Sequence, residues 1–562
     1  MCGIAGIFSF QRDHIYHASI QEQVAQMLLT MQHRGPDQWD LMHWSYFSFG
    51  MTRLRINNHA DDRIPYSNEN ASLFLVCNGE IYNHQELRGT LRSYHHLQTM
   101  TDSETLVHLF EERGIQMLTD LNGMFGFALY DAGSGELFLC RDRAGEKNIY
   151  YYHDEHFLAF ASEIKALLCC VEPQINDDCE SYHIFEACVG CETLFKNIFA
   201  LLPGHYLHIS AQGVTQHQYW SLLDQRMEVP DDERRIIDDL TQIIEDAVKL
   251  RTGNRYRPLA AMVSGGIDSA LVASIARPDL LFTCSYRGYG PAYDEFEYAQ
   301  AVAEHVRGQL VVVEPTREMF EGYRDRIAYH LDLPCTWSSF NIYVLSREIA
   351  QHTNVCLSGE GMDELFGGYI RYLLLKHELA LYDVEQLKLY DPLINRYLGR
   401  LEERYFRLIN RSASDFTASR VYQFVARVFQ QFDPIHAMGM VDFYTTMQIM
   451  LHMNDRMGMA HGLEIRSAFL DHRLVTYAFC MPSRYKISGY VPKYIIRQVA
   501  RNLIPRKVYE RIDKRGFITP FNLWFGGNEG NEFDRSRYRQ WVFEDWLHAF
   551  FASVPSTSKS EG

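Results

Sequence analysis

Leu259-Ala260-Ala261-Met262-Val263-Ser264-Gly265-Gly266-Ile267-Asp268-Ser269 passes from an apolar run through a glycine turn into a helical pattern. Downstream, the helical rhythm holds over Ala270 to Ala276, Leu280 to Ser285 reads as a strand, and Glu295 to Val306 as a helix. Gln309 to Glu314 and Val355 to Ser358 supply two more strands. This alternation predicts an α/β domain: a parallel sheet covered by helices on both faces, with ligands at the carboxyl ends of its strands. Residues 370 to 450 look mostly helical.

Upstream the rhythm differs. Ile4 to Phe8 reads as a strand, and Ile20, Val24, Met27, Leu28 and Met31 recur at helical spacing. Leu73 to Cys77 is a strand ending at Asn78-Gly79. Phe125 to Tyr130 and Glu136 to Cys140 flank a turn-rich Asp131-Ala132-Gly133-Ser134-Gly135, the pattern of an antiparallel hairpin. Ile149 to Tyr152 and Phe157 to Ala161 follow as strands. We expect an α+β domain over 1–210, a boundary near the acidic Pro230 to Glu233, an α/β domain over 230–545, and a polar, disordered tail over 546–562.

The composition narrows the function. At 562 residues the chain exceeds a single core, and 47% hydrophobic with 22% charged residues is an ordinary globular balance. Lys plus Arg total 54 against 71 acidic residues, and a net charge of −17 opposes binding to a nucleic-acid backbone. No apolar run reaches the ~18 residues of a membrane span, and no signal-peptide pattern opens the chain, so we expect a cytoplasmic protein without membrane or nucleic-acid partners. Twelve Cys are too sparse for a disulfide scaffold, and Cys188-x-x-Cys191 lacks a second pair for a metal, so these read as buried thiols.

Cys2 stands where removal of Met1 would expose it as the N-terminal residue. An α-amine with pKa ~7.7–8.0 can then act as base for the residue's own thiol. Its company is Met1-Cys2-Gly3-Ile4-Ala5-Gly6-Ile7, His33-Arg34-Gly35-Pro36-Asp37, Asn78-Gly79-Glu80-Ile81-Tyr82-Asn83 and Thr101-Asp102-Ser103-Glu104. This set resembles the glutaminase domain of class II glutamine amidotransferases, which are N-terminal-nucleophile enzymes of αββα fold. The resemblance implies Cys2 as nucleophile, Asn78 and Gly79 as oxyanion hole, and Arg53, Asn78, Glu80 and Asp102 as the glutamine-binding set.

In the second half, glycines before a helix let the backbone approach an oxyanion at the positive end of the helix dipole. No Gly-x-x-x-x-Gly-Lys-Ser/Thr occurs. Ser264, Gly265, Gly266, Asp268 and Ser269 instead resemble the pyrophosphate loop of enzymes that cleave ATP between the α- and β-phosphates. Leu357-Ser358-Gly359-Glu360-Gly361-Met362-Asp363-Glu364-Leu365-Phe366-Gly367-Gly368-Tyr369 follows another strand and puts three carboxylates over the same sheet edge. Carboxylates beside a polyphosphate require a bridging Mg²⁺, which assigns Asp268 and Asp363 as metal ligands and adds Ser358 and Gly359 to the ATP site.

Together the halves resemble glutamine-hydrolysing asparagine synthetases, which carry an ATP-pyrophosphatase-like domain. Leu463-Glu464-Ile465-Arg466-Ser467-Ala468-Phe469-Leu470-Asp471 and Lys493 in Val491-Pro492-Lys493-Tyr494 match later motifs. The resemblance implies glutamine and ATP as substrates, Mg²⁺ as cofactor, a carboxylate acceptor with aspartate first, an acyl-AMP intermediate, Lys493 near the phosphates, Glu360 positioning or deprotonating ammonia, an ammonia tunnel and, by analogy, a homodimer. Arg55, Asn58, Ile64, Asn148, Met362 and Ala468 depart from the pattern, which keeps another carboxylate acceptor as an alternative. A non-catalytic glutamine or nucleotide sensor would be expected to lose Cys2, Asp268 or Asp363, and all three are present.

Overall fold

The computed structural model describes residues 2–10, 17–56, 63–253, 255–382, 400–412, 414, 416–511, 519–525 and 535–551. Twelve strands build the N-terminal half: β1 Cys2–Ser9, β2 Gln38–Trp44, β3 Phe47–Arg53, β4 Tyr66–Ser67, β5 Leu73–Ile81, β6 Gly123–Asp131, β7 Glu136–Arg141, β8 Tyr150–His153, β9 Phe157–Ala161, β10 Ile198–Ala200, β11 His205–Ser210 and β12 Gly213–Gln218. They form two six-stranded sheets, ordered β10-β8-β9-β1-β3-β2 and β12-β11-β7-β6-β5-β4.

The sheets face each other over a core that includes Ile4, Phe8, Phe49, Val76 and Phe127. Helix His17–Thr30 packs on β1 and β3, and helix Asp102–Arg113 on β5, closing an αββα sandwich. Ile20, Val24, Met27, Leu28 and Met31 are all buried, as their helical spacing requires. The fold is that of the N-terminal-nucleophile class.

One strand differs from expectation. β5 does not end at Cys77; it runs on through Asn78 and Gly79, which pair with Gly126 and Phe125 of β6. An Asn-Gly pair favours a two-residue turn when its flanks are free to fold back, but here the continuous antiparallel ladder holds both residues extended.

The second half contains β13 Ala260–Met262, β14 Leu280–Cys284, β15 Gln309–Val313, β16 Val355–Ser358 and β17 Glu464–Ser467, all parallel, in the order β15-β14-β13-β16-β17. The chain winds outward one way from β13 through β14 to β15, then returns to the other side of β13 for β16. That reversal is a topological switch point, and the crevice it opens at the carboxyl ends of β13 and β16 is where α/β sheets take ligands.

The expected disordered tail needs correction. Helix Arg535–Phe551 includes its first six residues, and Trp546 is fully buried with Phe195 against its ring. The aromatic residues Trp546, Phe550 and Phe551 give this segment a face to bury, which outweighs its terminal position. Residues 552–562 lie outside the described residues.

Candidate active site

Strand pairing assembles the first site. Cys2 opens β1 and lies opposite Arg53 at the end of β3, and both are buried. Asn78 is carried to them by the facing sheet. Cys2 N–H donates to Asn78 Oδ1 at 3.1 Å, and Asn78 Nδ2 is buried without a hydrogen-bond partner among the described residues. A buried donor left unpaired costs about 1–3 kcal/mol, which an acceptor placed beside Cys2 would recover.

Gly79 follows on the same strand, and an added Cβ there would collide with the carbonyl of Met124. Asp102, at the start of helix Asp102–Arg113, accepts Ile81 N–H at 2.8 Å and is thereby tied to the end of β5. Burial pushes its carboxyl up from the usual range. Glu80 lies on the same strand as Asn78, and its carboxylate meets Arg466 of β17 at 3.4 Å.

The second site forms at the switch point. Gly266 precedes helix Ile267–Ala276, whose first turn carries Asp268 and Ser269. Gly265 adopts φ +70°, and a Cβ there would meet Tyr298 at 2.5 Å, so both conformation and space require glycine. Ser269 Oγ accepts Ser264 N–H at 3.2 Å and closes the loop. From β16, Gly359 approaches so closely that a Cβ would lie 2.7 Å from Ser269 N, while Ser358 Oγ is 3.1 Å from Ser467 Oγ of β17.

Lys493 Nζ joins these loops. It lies 2.7 Å from both oxygens of Asp268 and 2.5 Å from Asp363 Oδ1. Its backbone is left-handed, φ +53°, a conformation that costs a non-glycine residue about 1–3 kcal/mol and is typical of functional sites. Gly368 shields the cluster, since a Cβ there would collide with Asp363 and Lys493. Asp268 and Asp363 thus converge on one cation, and two hard oxygen donors closing on one point fit Mg²⁺ whose remaining shell comes from phosphate and water.

Of the three carboxylates expected over the sheet edge, Glu360 and Asp363 are half-buried, whereas Glu364 is buried. Glu364 Oε1 accepts the Tyr369 hydroxyl at 2.6 Å, and its carboxyl is pushed up to about 8, by burial first and by the neighbouring charge of Asp363 second.

Sequence reasoning missed how the two sites are joined. Arg34 Nε donates to the carbonyl of Cys2 at 3.1 Å, and its Nη1 reaches Glu163 at 2.8 Å and Asp455, in the second half, at 2.9 Å. Lys147 also meets Asp455, and Arg456 bridges Glu163 and Asp332. All are buried. No local motif marks this network, because Arg34 and Asp455 are 421 positions apart. Arg511, which donates to Gly265 O at 3.3 Å and pairs with Glu295, is likewise invisible to sequence reasoning as a neighbour of the glycine loop. A cavity of about 370 Å³ opens between the halves, lined by residues such as Tyr150, Cys191, Gln448 and His452 but by neither Cys2 nor the Ser264 loop.

A thiol at the head of an N-terminal-nucleophile sandwich, sharing its chain with a glycine loop at the switch point of a parallel sheet, defines an ATP-dependent amidotransferase. Residues 239–552 match the asparagine synthase family and residues 1–220 the glutamine amidotransferase domain. The chain belongs to the asparagine synthase family. It is an enzyme that forms C–N bonds, in a glutamine- and ATP-dependent amidation.

The glutamine-hydrolyzing asparagine synthetase 1 of Bacillus subtilis is 28% identical over 586 residues, covering 98% of this chain and 91% of that protein. A putative glutamine-hydrolyzing asparagine synthetase 2 of Methanocaldococcus jannaschii is 30% identical over 404 residues, covering 66% and 76%. The amidase chyE of Penicillium rubens is 26% identical over 626 residues, covering 94% and 90%. No helix among the described residues is long and apolar enough to cross a membrane.

Proposed function

We propose that the protein converts aspartate to asparagine, with ATP activating the acceptor carboxylate as an acyl-AMP and glutamine supplying ammonia. The observation that carries the glutaminase half is the unpaired, buried Asn78 Nδ2 beside Cys2. Cys2, freed of Met1, attacks the side-chain amide of glutamine with its own amine as base. Asn78 Nδ2 and the Gly79 N–H receive the oxyanion, while Arg53 pairs with the substrate carboxylate and Asp102 with its ammonium. That ammonium would hold Asp102 ionised against the effect of its burial. Glu80 completes the glutamine-binding set.

In the synthetase half, Ser264, Gly265, Gly266, Ser269, Ser358 and Gly359 cradle the phosphates, and Asp268 and Asp363 would hold Mg²⁺. When bound, the ion neutralises the phosphate oxygens and orients them for in-line displacement. Lys493, already between the two carboxylates, shifts toward the departing pyrophosphate as positive charge is needed there. Glu360 positions or deprotonates the ammonia that attacks the acyl-AMP. The Glu80–Arg466 contact and the Ser467–Ser358 contact link the two sites through adjacent residues of β17, and ammonia passes beside them.

The full-length similarity to a protein named as an amidase favours a second reading, in which another carboxylate is the acceptor. Pyrophosphate release by the purified protein with MgATP and glutamine, with and without aspartate, separates the two. Stimulation by aspartate with asparagine as product supports the first reading; glutamine hydrolysis without that stimulation supports the second.

A further inference from the structure

Outside both sites, four side chains from three separate segments converge at the rim of the N-terminal domain. Glu69 comes from the turn between β4 and β5, His95 from the loop after residue 90, and His108 and Glu111 from helix Asp102–Arg113. The two imidazoles are buried and the two carboxylates lie at the surface.

His95 Nδ1 and His108 Nδ1 are 3.2 Å apart. Glu111 Oε2 is 3.6 Å from the first and 3.8 Å from the second. Glu69 reaches the same nitrogens at 3.9 and 3.8 Å. An ion bound tetrahedrally at about 2.0–2.2 Å separates its ligand atoms by roughly 3.3–3.6 Å; the two Nδ1 atoms and Glu111 Oε2 lie close to that spacing, and each Glu69 oxygen faces one of the nitrogens slightly farther out.

The surroundings fix which nitrogen faces inward. His95 Nε2 lies 3.1 Å from Glu112 Oε1, so it carries the proton and donates, leaving the Nδ1 lone pair directed at the cluster. A ligating histidine whose other nitrogen donates to a carboxylate is the usual outer-shell arrangement at zinc. Glu104 stands 4.0 Å from His108 Nε2, a buried nitrogen without a hydrogen bond among the described residues. Glu112 is itself fixed by the Arg92 N–H at 2.8 Å, and Glu69 by the N–H of His96.

We propose that Glu69, His95, His108 and Glu111 form a structural zinc site. Two neutral imidazoles and two carboxylates match the N/O preference of Zn²⁺, and the closed set of four leaves no position for catalysis. The ion staples the β4–β5 turn and the loop around His95 to helix Asp102–Arg113.

The test uses untagged full-length protein, stripped with chelator, titrated with Zn²⁺ against a chromophoric competitor and assayed for retained metal by mass spectrometry. We expect one zinc per chain, and a tetrahedral visible spectrum when Co²⁺ replaces it. Glu69→Gln with Glu111→Gln, both at the surface, should weaken binding at least ~100-fold while the fold persists, and Glu112→Gln should weaken it ~10- to 100-fold. Cys188→Ser with Cys191→Ser should leave it unchanged. No retained zinc, unchanged affinity in the double Glu variant, an octahedral Co²⁺ spectrum, or loss of the metal in the Cys variant would each overturn the proposal.

Discussion

Asn78 Oδ1 accepts the backbone N–H of Cys2 at 3.1 Å, which commits one end of the amide to holding the nucleophile's backbone and frees the other, Nδ2, as a donor. A single residue on β5 thus aligns the head of β1 and, on the proposed mechanism, would also supply the group that stabilises the developing charge.

From this follows the first prediction. Asn78→Ala should lower kcat for glutamine hydrolysis by ~100- to 1000-fold, the usual effect of removing one oxyanion donor, with a smaller change in KM. Synthesis from ammonium salts should persist. Steady-state kinetics with both nitrogen donors checks it, and near-wild-type glutamine hydrolysis would remove Asn78 from the oxyanion hole.

Gly368 separates the two activities from the other side. Gly368→Ala places a methyl group against Asp363 and Lys493, so we expect pyrophosphate formation to fall by ~100-fold or more while glutamine hydrolysis continues. Equal losses in both assays would point to general misfolding instead of a local collision.

Glu364 gives a pH signature. Its folded carboxyl, raised to about 8, stays protonated at neutral pH, whereas the unfolded chain ionises near pH ~4.3. The protonated folded group contributes fully below the unfolded value, and that contribution is lost as pH rises toward the folded value, by up to ~1.4 kcal/mol per unit. Thermal unfolding between pH 6 and 8 should show a falling Tm that flattens in Glu364→Gln. Parallel curves for the two proteins would rule out this origin.

Asp455 tests the junction of the halves. It is buried with Arg34 and Lys147, whose charges hold its carboxyl well below the usual range. Asp455→Ala removes the carboxylate that Lys147 meets and leaves Arg34 with Glu163 alone, and should cost about 3–5 kcal/mol, measured by urea unfolding. A cost below ~1 kcal/mol would mean the pairs add little.

Much of this architecture is legible along the chain because it is local. Leu259 to Ser269 contains a strand, a loop and a helix start in eleven consecutive positions, and the parallel sheet follows from its repetition. Asn78-Gly79 misled on the extent of β5, since turn propensity is local and the β6 ladder that overrides it is not. Arg34 with Asp455, and His95 with Glu69 and His108, are invisible for the same reason: their partners meet through tertiary packing, without a spacing that a motif could carry. Trp546 falls within the expected tail because the polar residues downstream of it outweigh the aromatic residues that bury it.

On the proposed mechanism Cys2 releases from glutamine the ammonia that the second half consumes. Asparagine formation by Cys2→Ala, with MgATP and aspartate and either glutamine or ammonium chloride as donor, measures it directly. No product is expected from glutamine, and wild-type product from ammonium. Undiminished use of glutamine by this variant would contradict it.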